Sequence, residues 1–176
     1  MAIVGLNSMT VLSTMTIVPV MWEQWNRPTF ENAGLLSVLF IAGTFGNIAG
    51  GYLSDTFGPK PIIIGSALLS STWMVLFLKT QNIFAAFVLI ALLGASLNSS
   101  GPVTMVISHR LFPKNKGMAS GLVMGIGGTL GSLGVGLIGY IGDLYTPVTG
   151  LYVASLVVLF IIPLVFTLNT GEEKAI

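Results

Sequence analysis

The residues of this sequence that could carry out chemistry are few and far apart. The 176 residues include one histidine, His109, and no cysteine, which leaves one imidazole and no thiolate for catalysis or metal binding. A serine hydrolase needs a G-x-S-x-G turn, and the segment GASL at 94–97 does not match it. An aspartyl protease needs two facing carboxylates, whereas Asp143 stands alone. The sequence therefore predicts no catalytic residues, no metal ligands and no cofactor, and the protein is not expected to be an enzyme.

The polar groups that could instead hold a ligand are uncharged and lie within long apolar stretches. Asn7, Thr10 and Thr14 recur at i, i+3 and i+7, so a helix would place them along one side. The other candidates for a substrate cavity are Asn47, Asn98, Ser99 and Thr104. Gly101 and Pro102 are expected to loosen their helix and free backbone carbonyls. The alternative role for these side chains is hydrogen bonding between helices, which contributes about 0.6 kcal/mol per contact in membranes.

Composition indicates which elements must position these side chains. Hydrophobic residues make up 53% of the chain and charged residues only 7%, against roughly 25% charged residues in an ordinary soluble domain. So few charges cannot cover a water-soluble surface, and the mean hydropathy of +0.91 agrees. The chain is therefore predicted to be an all-α integral membrane protein that is surrounded by the lipid bilayer and binds no nucleic acid.

The seven basic and six acidic residues separate six uncharged stretches. A helix needs about 20 residues to cross about 30 Å of hydrocarbon, and each stretch holds at least 18 residues. A charge at the middle of the bilayer costs about 2.5 to 3.5 kcal/mol on insertion scales, so the charges are expected between the crossings. The sequence predicts a single bundle over residues 1–176, with six transmembrane helices over residues 2–21, 32–53, 61–78, 82–107, 118–142 and 149–169.

The basic residues predict the orientation of this bundle. With the N-terminus in the cytoplasm, the basic residues on the cytoplasmic side are Lys60, Arg110, Lys114, Lys116 and Lys174. Only Arg27 and Lys79 fall outside, so both termini are expected in the cytoplasm, with the protein in the cell (inner) membrane. Trp22 and Trp25 then lie near the outer surface, either as an interfacial aromatic belt or through simple packing.

A short internal repeat predicts how the spans are arranged. GYLSD at 51–55 and GYIGD at 139–143 each close a span, and half the chain length separates them. The first copy would end in the cytoplasm and the second outside. The bundle is therefore expected to consist of two inverted three-helix repeats. The alternative is a chance match of a glycine-rich pentapeptide.

Two segments resemble a known family. The segment GYLSDTFGPK at 51–60 resembles the loop signature of the major facilitator superfamily, G-x-L-[AS]-D-x-x-G-[RK]-[RK], which follows the second helix of each six-helix half. The segment LFPKNKGMASG at 111–121 is similar to the basic loop and glycine-rich helix after the fourth span of that family's C-terminal half. The segments PVT at 102–104 and GMASG at 117–121 also resemble the corresponding segments of fosmidomycin-resistance-type efflux members of this family.

The resemblance implies secondary active transport of a small-molecule solute by alternating access, with efflux as one direction. The chain would be the C-terminal half of a twelve-helix fold. Its partners would be the missing N-terminal six-helix half or a second copy, together with H+ or another coupling ion. In this family the first and fourth helices of each half line the central cavity, which would place Asn7 and Asn98 near the ligand. The first span begins almost at Met1, which favours a fragment of a longer chain, and the alternative function is a truncated or partner-dependent membrane subunit without transport activity of its own.

The resemblance also implies a conformational latch, which in this chain would be Gly51, Asp55, Gly58 and Lys60. Gly51 would let helices approach closely, Asp55 would cap the next helix or accept a basic partner, and Gly58 would permit a tight turn. Only Lys60 keeps the positive charge that is common after the glycine, so the ion-pair latch is expected to be weak. A solvated turn with its own capping aspartate is the alternative.

The fifth predicted span is rich in glycine. Gly121 with Gly125, and Gly127 with Gly131, have the small-xxx-small spacing that lets helix backbones pack closely in lipid. These four residues are predicted to form a packing surface along which helices move during transport. Static packing is the alternative.

Overall fold

The computed structural model describes residues 2–167, which form an all-helical bundle. Its helices are α1 (Ala2–Gln24), α2 (Thr29–Phe57), α3 (Pro59–Lys79), α4 (Ile83–Leu111), α5 (Lys116–Leu144), α6 (Pro147–Leu159) and α7 (Ile161–Phe166). Within the described residues, six spans are long and apolar enough to cross a membrane, with α6 and α7 together forming the sixth. Residues 2–167 contain helices and no strand. The predicted all-α class with six transmembrane spans is therefore confirmed.

Several helices extend beyond the uncharged stretches that predicted them. α2, α4 and α5 have 29 residues each; such a helix is about 43 Å long, close to a bilayer with its headgroups. Asp55 and Asp143 therefore lie on end turns of helices and not in loops. The reason is that backbone hydrogen bonding continues past the edge of the hydrocarbon, whereas hydropathy reports only that edge. The end of the predicted sixth span, 168–169, and Lys174 lie outside the described residues.

The sixth span is interrupted at Phe160, where the sequence predicts one continuous helix. The Phe160 N–H bonds the carbonyls of Val157 and Val158, which tightens the end of α6. Pro163 follows three residues later and has no N–H to donate to the carbonyl of Leu159. A proline near the middle of the span thus accounts for the break between α6 and α7.

The internal repeat relates the two most extensive helix pairs to each other. α2 packs most extensively against α4, and α1 packs extensively against α5. If the first three spans are matched in order to the last three, these two pairs change places. α3 contacts α4, the sixth span contacts α1, and α3 and the sixth span contact each other. This packing is the one expected for two inverted three-helix repeats, and it is consistent with half of a twelve-helix fold.

Two apolar clusters form the core at opposite ends of the bundle. The larger cluster surrounds Trp22, and it includes Leu35 of α2 and Ile138 of α5. The smaller cluster joins buried residues of the other four spans, among them Ile3 and Ile63, and it includes no buried residue of α2 or α5. We call these the Trp22 end and the Lys60 end. α2 and α5 are therefore anchored in the core mainly at the Trp22 end.

Trp22 belongs to this core and not to a lipid-facing belt. Its side chain is 2% exposed, and its ring stacks on Phe77 with centroids 6.1 Å apart. Its Nε1 donates a hydrogen bond of 3.3 Å to Glu31 Oε2. Trp25 is only half-buried, with its ring centroid 5.7 Å from that of Trp22. Packing is thus the correct interpretation for Trp22, because its indole N–H finds a partner on α2.

Candidate functional site

A cavity of about 270 Å³ lies between α1, α4 and α5. We call it the central cavity. Its polar side chains are Asn7 and Ser8 of α1 and Thr104 of α4, and its apolar lining includes Met105 and Met124. The structure thus brings two of the predicted cavity residues, Asn7 and Thr104, to one place although they are distant in sequence. Ser8 was not among the predicted residues, and its adjacency to Asn7 was the available signal.

The part of α4 that lines the cavity lies next to a proline, Pro102. Thr104 Oγ1 donates to the carbonyl of Gly101 at 2.8 Å, and its oxygen keeps the ability to accept a hydrogen bond. The helix is continuous through Pro102. Because proline has no N–H, the carbonyl of Asn98 loses its helical donor, as the sequence predicts. The Thr104 hydroxyl is thus the polar side-chain group that α4 supplies to the cavity, whereas Asn98 is not among the lining residues.

Asn47 and Asn98 lie at the contact between α2 and α4. The Asn98 Nδ2 donates to the carbonyl of Gly94 at 2.8 Å, and it lies 2.7 Å from the position that a Cβ on Gly43 would occupy. The Asn47 Oδ1 lies 3.2 Å from the corresponding position on Gly101, a residue that lines the central cavity. Asn47 therefore lies close to Gly101 but is not itself among the residues that line the cavity. The Asn98 side chain packs against Gly43 of α2 while its hydrogen bond stays within α4, and its role near a ligand stays a prediction.

The remaining predicted cavity residues lie elsewhere. Thr10 is 1% exposed; its Oγ1 donates to Leu6 O at 3.1 Å and lies 3.4 Å from Ala154 O of α6. Thr14 Oγ1 donates to the carbonyl of Thr10 at 2.7 Å. Ser99 lines a separate, largely apolar groove between α2, α3 and α4. The spacing of Asn7, Thr10 and Thr14 could not show that the two threonines would be buried, Thr10 beside Ala154 of the sixth span.

The closest helix contact involves glycines that were not among the predicted packing residues. A Cβ on Gly46 of α2 would clash with the carbonyl oxygen of Ala95, and one on Gly50 would clash with that of Ser99. From α4, a Cβ on Gly94 would clash with the carbonyl of Leu39. Gly46 and Gly50 have G-x-x-x-G spacing and face a small-xxx-small pair. That spacing was the signal that could have found this contact.

On α5, only one of the two predicted glycine pairs packs against another helix. A Cβ on Gly127 would lie 2.8 Å from Val4 Cγ1, and one on Gly131 would lie 2.8 Å from Leu12 Cδ1, both on α1. Gly121 and Gly125 are exposed, and a Cβ on either would meet no atom of the described chain within 4 Å. The two pairs are about a third of a turn apart on the helix, so α1 can cover only one of them.

The predicted latch segment is helical except at one residue. Gly51 and Asp55 lie on α2 and Lys60 on α3, so Gly58 alone links the two helices. Its φ of 86° and ψ of 164° lie in a region open essentially only to glycine. In the described chain no side-chain hydrogen bond caps α3, so Asp55 does not make the predicted cap. A Cβ on Gly51 would make only ordinary contact, 3.8 Å from Pro102 Cβ.

His109 joins the end of α4 to the start of α5. Its Nε2 lies 2.7 Å from Ser120 Oγ, and Ser120 Oγ donates to the carbonyl of Lys116 at 3.1 Å. His109 Nε2 and Ser120 Oγ are therefore within hydrogen-bond distance, and the tautomer of the imidazole sets which atom donates. His109 therefore connects two helix ends beside a basic loop.

The chain is similar to known membrane proteins. A family model described as Major Facilitator Superfamily matches residues 1–175. An uncharacterized MFS-type transporter, YfnC, of Bacillus subtilis (strain 168) is 35% identical over 106 residues, which cover 60% of this chain and 26% of that protein. An oxalate:formate antiporter of Oxalobacter formigenes is 25% identical over 175 residues, covering 88% of this chain and 40% of that protein. The chain thus spans less than half the length of either relative, and no solved structure matches significantly.

Proposed function

This chain belongs to the major facilitator superfamily, and from that premise we propose that it forms one six-helix half of a secondary transporter. It is a multi-pass membrane protein of a family whose general activity is transport. The proposed activity is the movement of a small-molecule solute by alternating access, without covalent change to the solute. Since the chain spans less than half of its relatives, the proposal includes a second six-helix half, either on another chain or in a second copy.

The central cavity is the observation that carries this proposal. Asn7 offers both a donor and an acceptor, and Ser8 and Thr104 offer hydroxyls, in spans that are otherwise largely apolar. Met105 and Met124 supply flexible apolar surface that can adapt to different solutes. A pocket with a few convergent polar groups in an apolar lining is typical of small-molecule sites. This half would bind its share of the solute through neutral hydrogen bonds.

The packing of the helices supports motion of the bundle as one body. The backbones of α2 and α4 meet at Gly46, Gly50 and Gly94 without intervening side chains. Such closely packed backbones resist separation. This contact also holds α2 against the bundle toward the Lys60 end, where the apolar cluster includes no buried residue of α2 or α5. Alternating access would then arise from rocking of this bundle against its partner half, as in other transporters built from repeats.

Coupling to H+ or another ion is also part of the proposal, because one relative is named an antiporter. In the described spans, carboxylates and the single histidine lie on helix ends, away from the middle of the bilayer. The group that carries a coupling ion, or that neutralises an anionic solute, would therefore come from the partner half. Both termini would face the cytoplasm in the cell membrane, with efflux as one direction of transport.

Flux into liposomes tests this function. The chain would be reconstituted alone and together with a separately expressed N-terminal half of a family member, and uptake of labelled solutes would be compared with empty liposomes. Flux that requires this chain and falls on substitution of Thr104→Val, but not of the exposed Thr72→Val, would support the proposal. Absence of flux in every pairing would instead favour a membrane subunit without transport activity.

A further inference from the structure

A second cavity, of about 360 Å³, opens at the Trp22 end of the bundle. It lies where the link between α1 and α2 meets the link between α3 and α4. Its lining residues are Trp25, Arg27, Leu78, Lys79, Thr80 and Gln81. Two of these carry a positive charge, and among the described residues that line the cavity none carries a carboxylate. We call it the outer cavity.

The two cations of the outer cavity are the basic residues that the described bundle has at this end. Arg27 lies in the link before α2, and Lys79 is the last residue of α3. The other basic residues of the described chain, Lys60, Arg110, Lys114 and Lys116, belong to the Lys60 end. The fold thus gathers both cations of one membrane face into a single cavity, which concentrates positive charge in an otherwise sparsely charged protein.

Arg27 is held in place within this cavity. Its Nη2 donates a hydrogen bond of 2.9 Å to the carbonyl of Gln81, and its Cζ lies 5.7 Å from the centroid of the Trp22 ring. A cation over an indole face is attracted to it, which further limits the positions of the guanidinium. The bond to Gln81 uses one of the five N–H donors of arginine. A fixed guanidinium with unused donors is suited to bind an oxyanion.

The two acidic residues nearest in sequence to Arg27, Glu23 and Glu31, do not line the outer cavity. Glu31, on the first turn of α2, accepts the hydrogen bond from Trp22 Nε1 and is therefore directed into the contact between helices. Glu23 is exposed on the last turn of α1 and does not line the cavity. Lys79 is exposed, so its ammonium can turn toward an anion that enters the cavity.

The depth of the cavity indicates where such an anion would come from. Lys79 ends a membrane span, and Trp25 is half-buried beside it, as is typical of tryptophan near lipid headgroups. The phosphates of a bilayer are expected at the ends of such spans. Arginine binds phosphate through its planar fork and lysine binds it as a point charge. We propose that the outer cavity binds the phosphodiester of an anionic phospholipid headgroup, between Arg27 and Lys79.

Lipid binding to the full-length chain in a neutral detergent tests this site directly. Native mass spectrometry would follow the binding of phosphatidylglycerol, with phosphatidylcholine as the zwitterionic reference. The double substitution Arg27→Gln/Lys79→Gln is expected to weaken phosphatidylglycerol binding roughly tenfold or more. The matched control, Lys60→Gln/Lys114→Gln, removes two cations from the opposite end and is expected to leave that binding unchanged.

A single substitution keeps the test decisive if loss of the Arg27 bond to Gln81 disturbs folding. Lys79→Gln changes an exposed side chain and is expected to weaken phosphatidylglycerol binding several-fold without changing the melting temperature. Unchanged binding in both the single and double variants would overturn the proposal, as would an equal loss in the control. Glycerol phosphate and inorganic phosphate are expected not to displace the lipid. Displacement by either, with the same dependence on Lys79, would show a site for soluble anions and overturn the lipid assignment.

Discussion

Gly46 of α2 lies directly against the backbone carbonyl of Ala95 of α4, with no room between them for a methyl group. This contact belongs to the most extensive helix pair of the bundle. In lipid, helix association depends on close packing and not on a hydrophobic driving force between helices. Gly46 and Ala95 therefore determine how closely the second and fourth spans can approach. Asn47 and Asn98 lie on these same two helices.

Substitution Gly46→Ala is expected to destabilise the bundle by about 1 to 3 kcal/mol, because the added methyl group must push two helix backbones apart. Thermal unfolding in detergent, followed by tryptophan fluorescence, measures the effect. Gly125→Ala is the matched control, since a Cβ there meets no described atom within 4 Å. Equal melting temperatures for the two variants would show that the α2–α4 contact is looser than described.

Substitution Gly58→Ala is expected to cost about 1 to 3 kcal/mol of stability for a different reason. Gly58 has a φ of 86°, a conformation that side-chain-bearing residues adopt only under strain. The added atom meets nothing within 4 Å, so the cost would be purely conformational. Gly65→Ala, also in open space but within α3, is expected to be neutral or stabilising because alanine favours the helix. The same unfolding assay compares the two, and a stable Gly58→Ala variant would contradict the strain argument.

In the central cavity, Asn7→Ala is expected to reduce solute transport by roughly tenfold, through the loss of one or two hydrogen bonds to the solute. Flux measured at several solute concentrations in liposomes would separate weaker binding from slower turnover. Thr72→Val is the control, since Thr72 is exposed and its hydroxyl bonds only the carbonyl of Leu68, at 2.8 Å. Transport that is unaffected by Asn7→Ala would remove the central cavity from the solute path.

Asp55 is expected to act in conformational change more than in folding. It is exposed on the last turn of α2, so Asp55→Asn should slow transport while membrane abundance stays near that of the unchanged protein. Asp143→Asn is a matched comparison, because Asp143 ends the equivalent helix of the second repeat. The measurement is the solute flux divided by the amount of inserted protein, which is quantified in membrane fractions. It separates slower transport from lower abundance. If Asp55→Asn abolished insertion, its role would be in folding and the latch hypothesis would be wrong.

The orientation of the bundle can be read by cysteine labelling, since the natural chain has no cysteine. Lys114→Cys is expected to react from the cytoplasmic side, and Lys79→Cys from the opposite side, because basic loops are retained in the cytoplasm. Membrane-impermeant maleimide applied to intact cells and to inverted vesicles distinguishes the two sides. Labelling of Lys114→Cys in intact cells would reverse the proposed topology.

Much of the architecture follows from one-dimensional patterns. Charges are costly in hydrocarbon, so the positions of the thirteen charged residues, Asp55, Lys79 and Asp143 among them, bound the spans to within a few helical turns. Gly58 was predicted to permit a tight turn because glycine carries no Cβ. The inverted repeat was likewise visible as two related pentapeptides at the ends of equivalent spans.

The sequence by itself therefore determined the number of spans, the helical class and the turn at Gly58, because hydropathy and local backbone preference act on neighbouring residues. Only the tertiary structure decided that Gly46 packs while Gly125 does not, that Asn7 reaches a cavity while Thr10 is covered, and that Arg27 and Lys79 line one cavity. The physical reason is rotation about the helix axis. Which side of a helix meets a neighbour depends on residues far away in the chain, and the spacing within one helix does not contain that information.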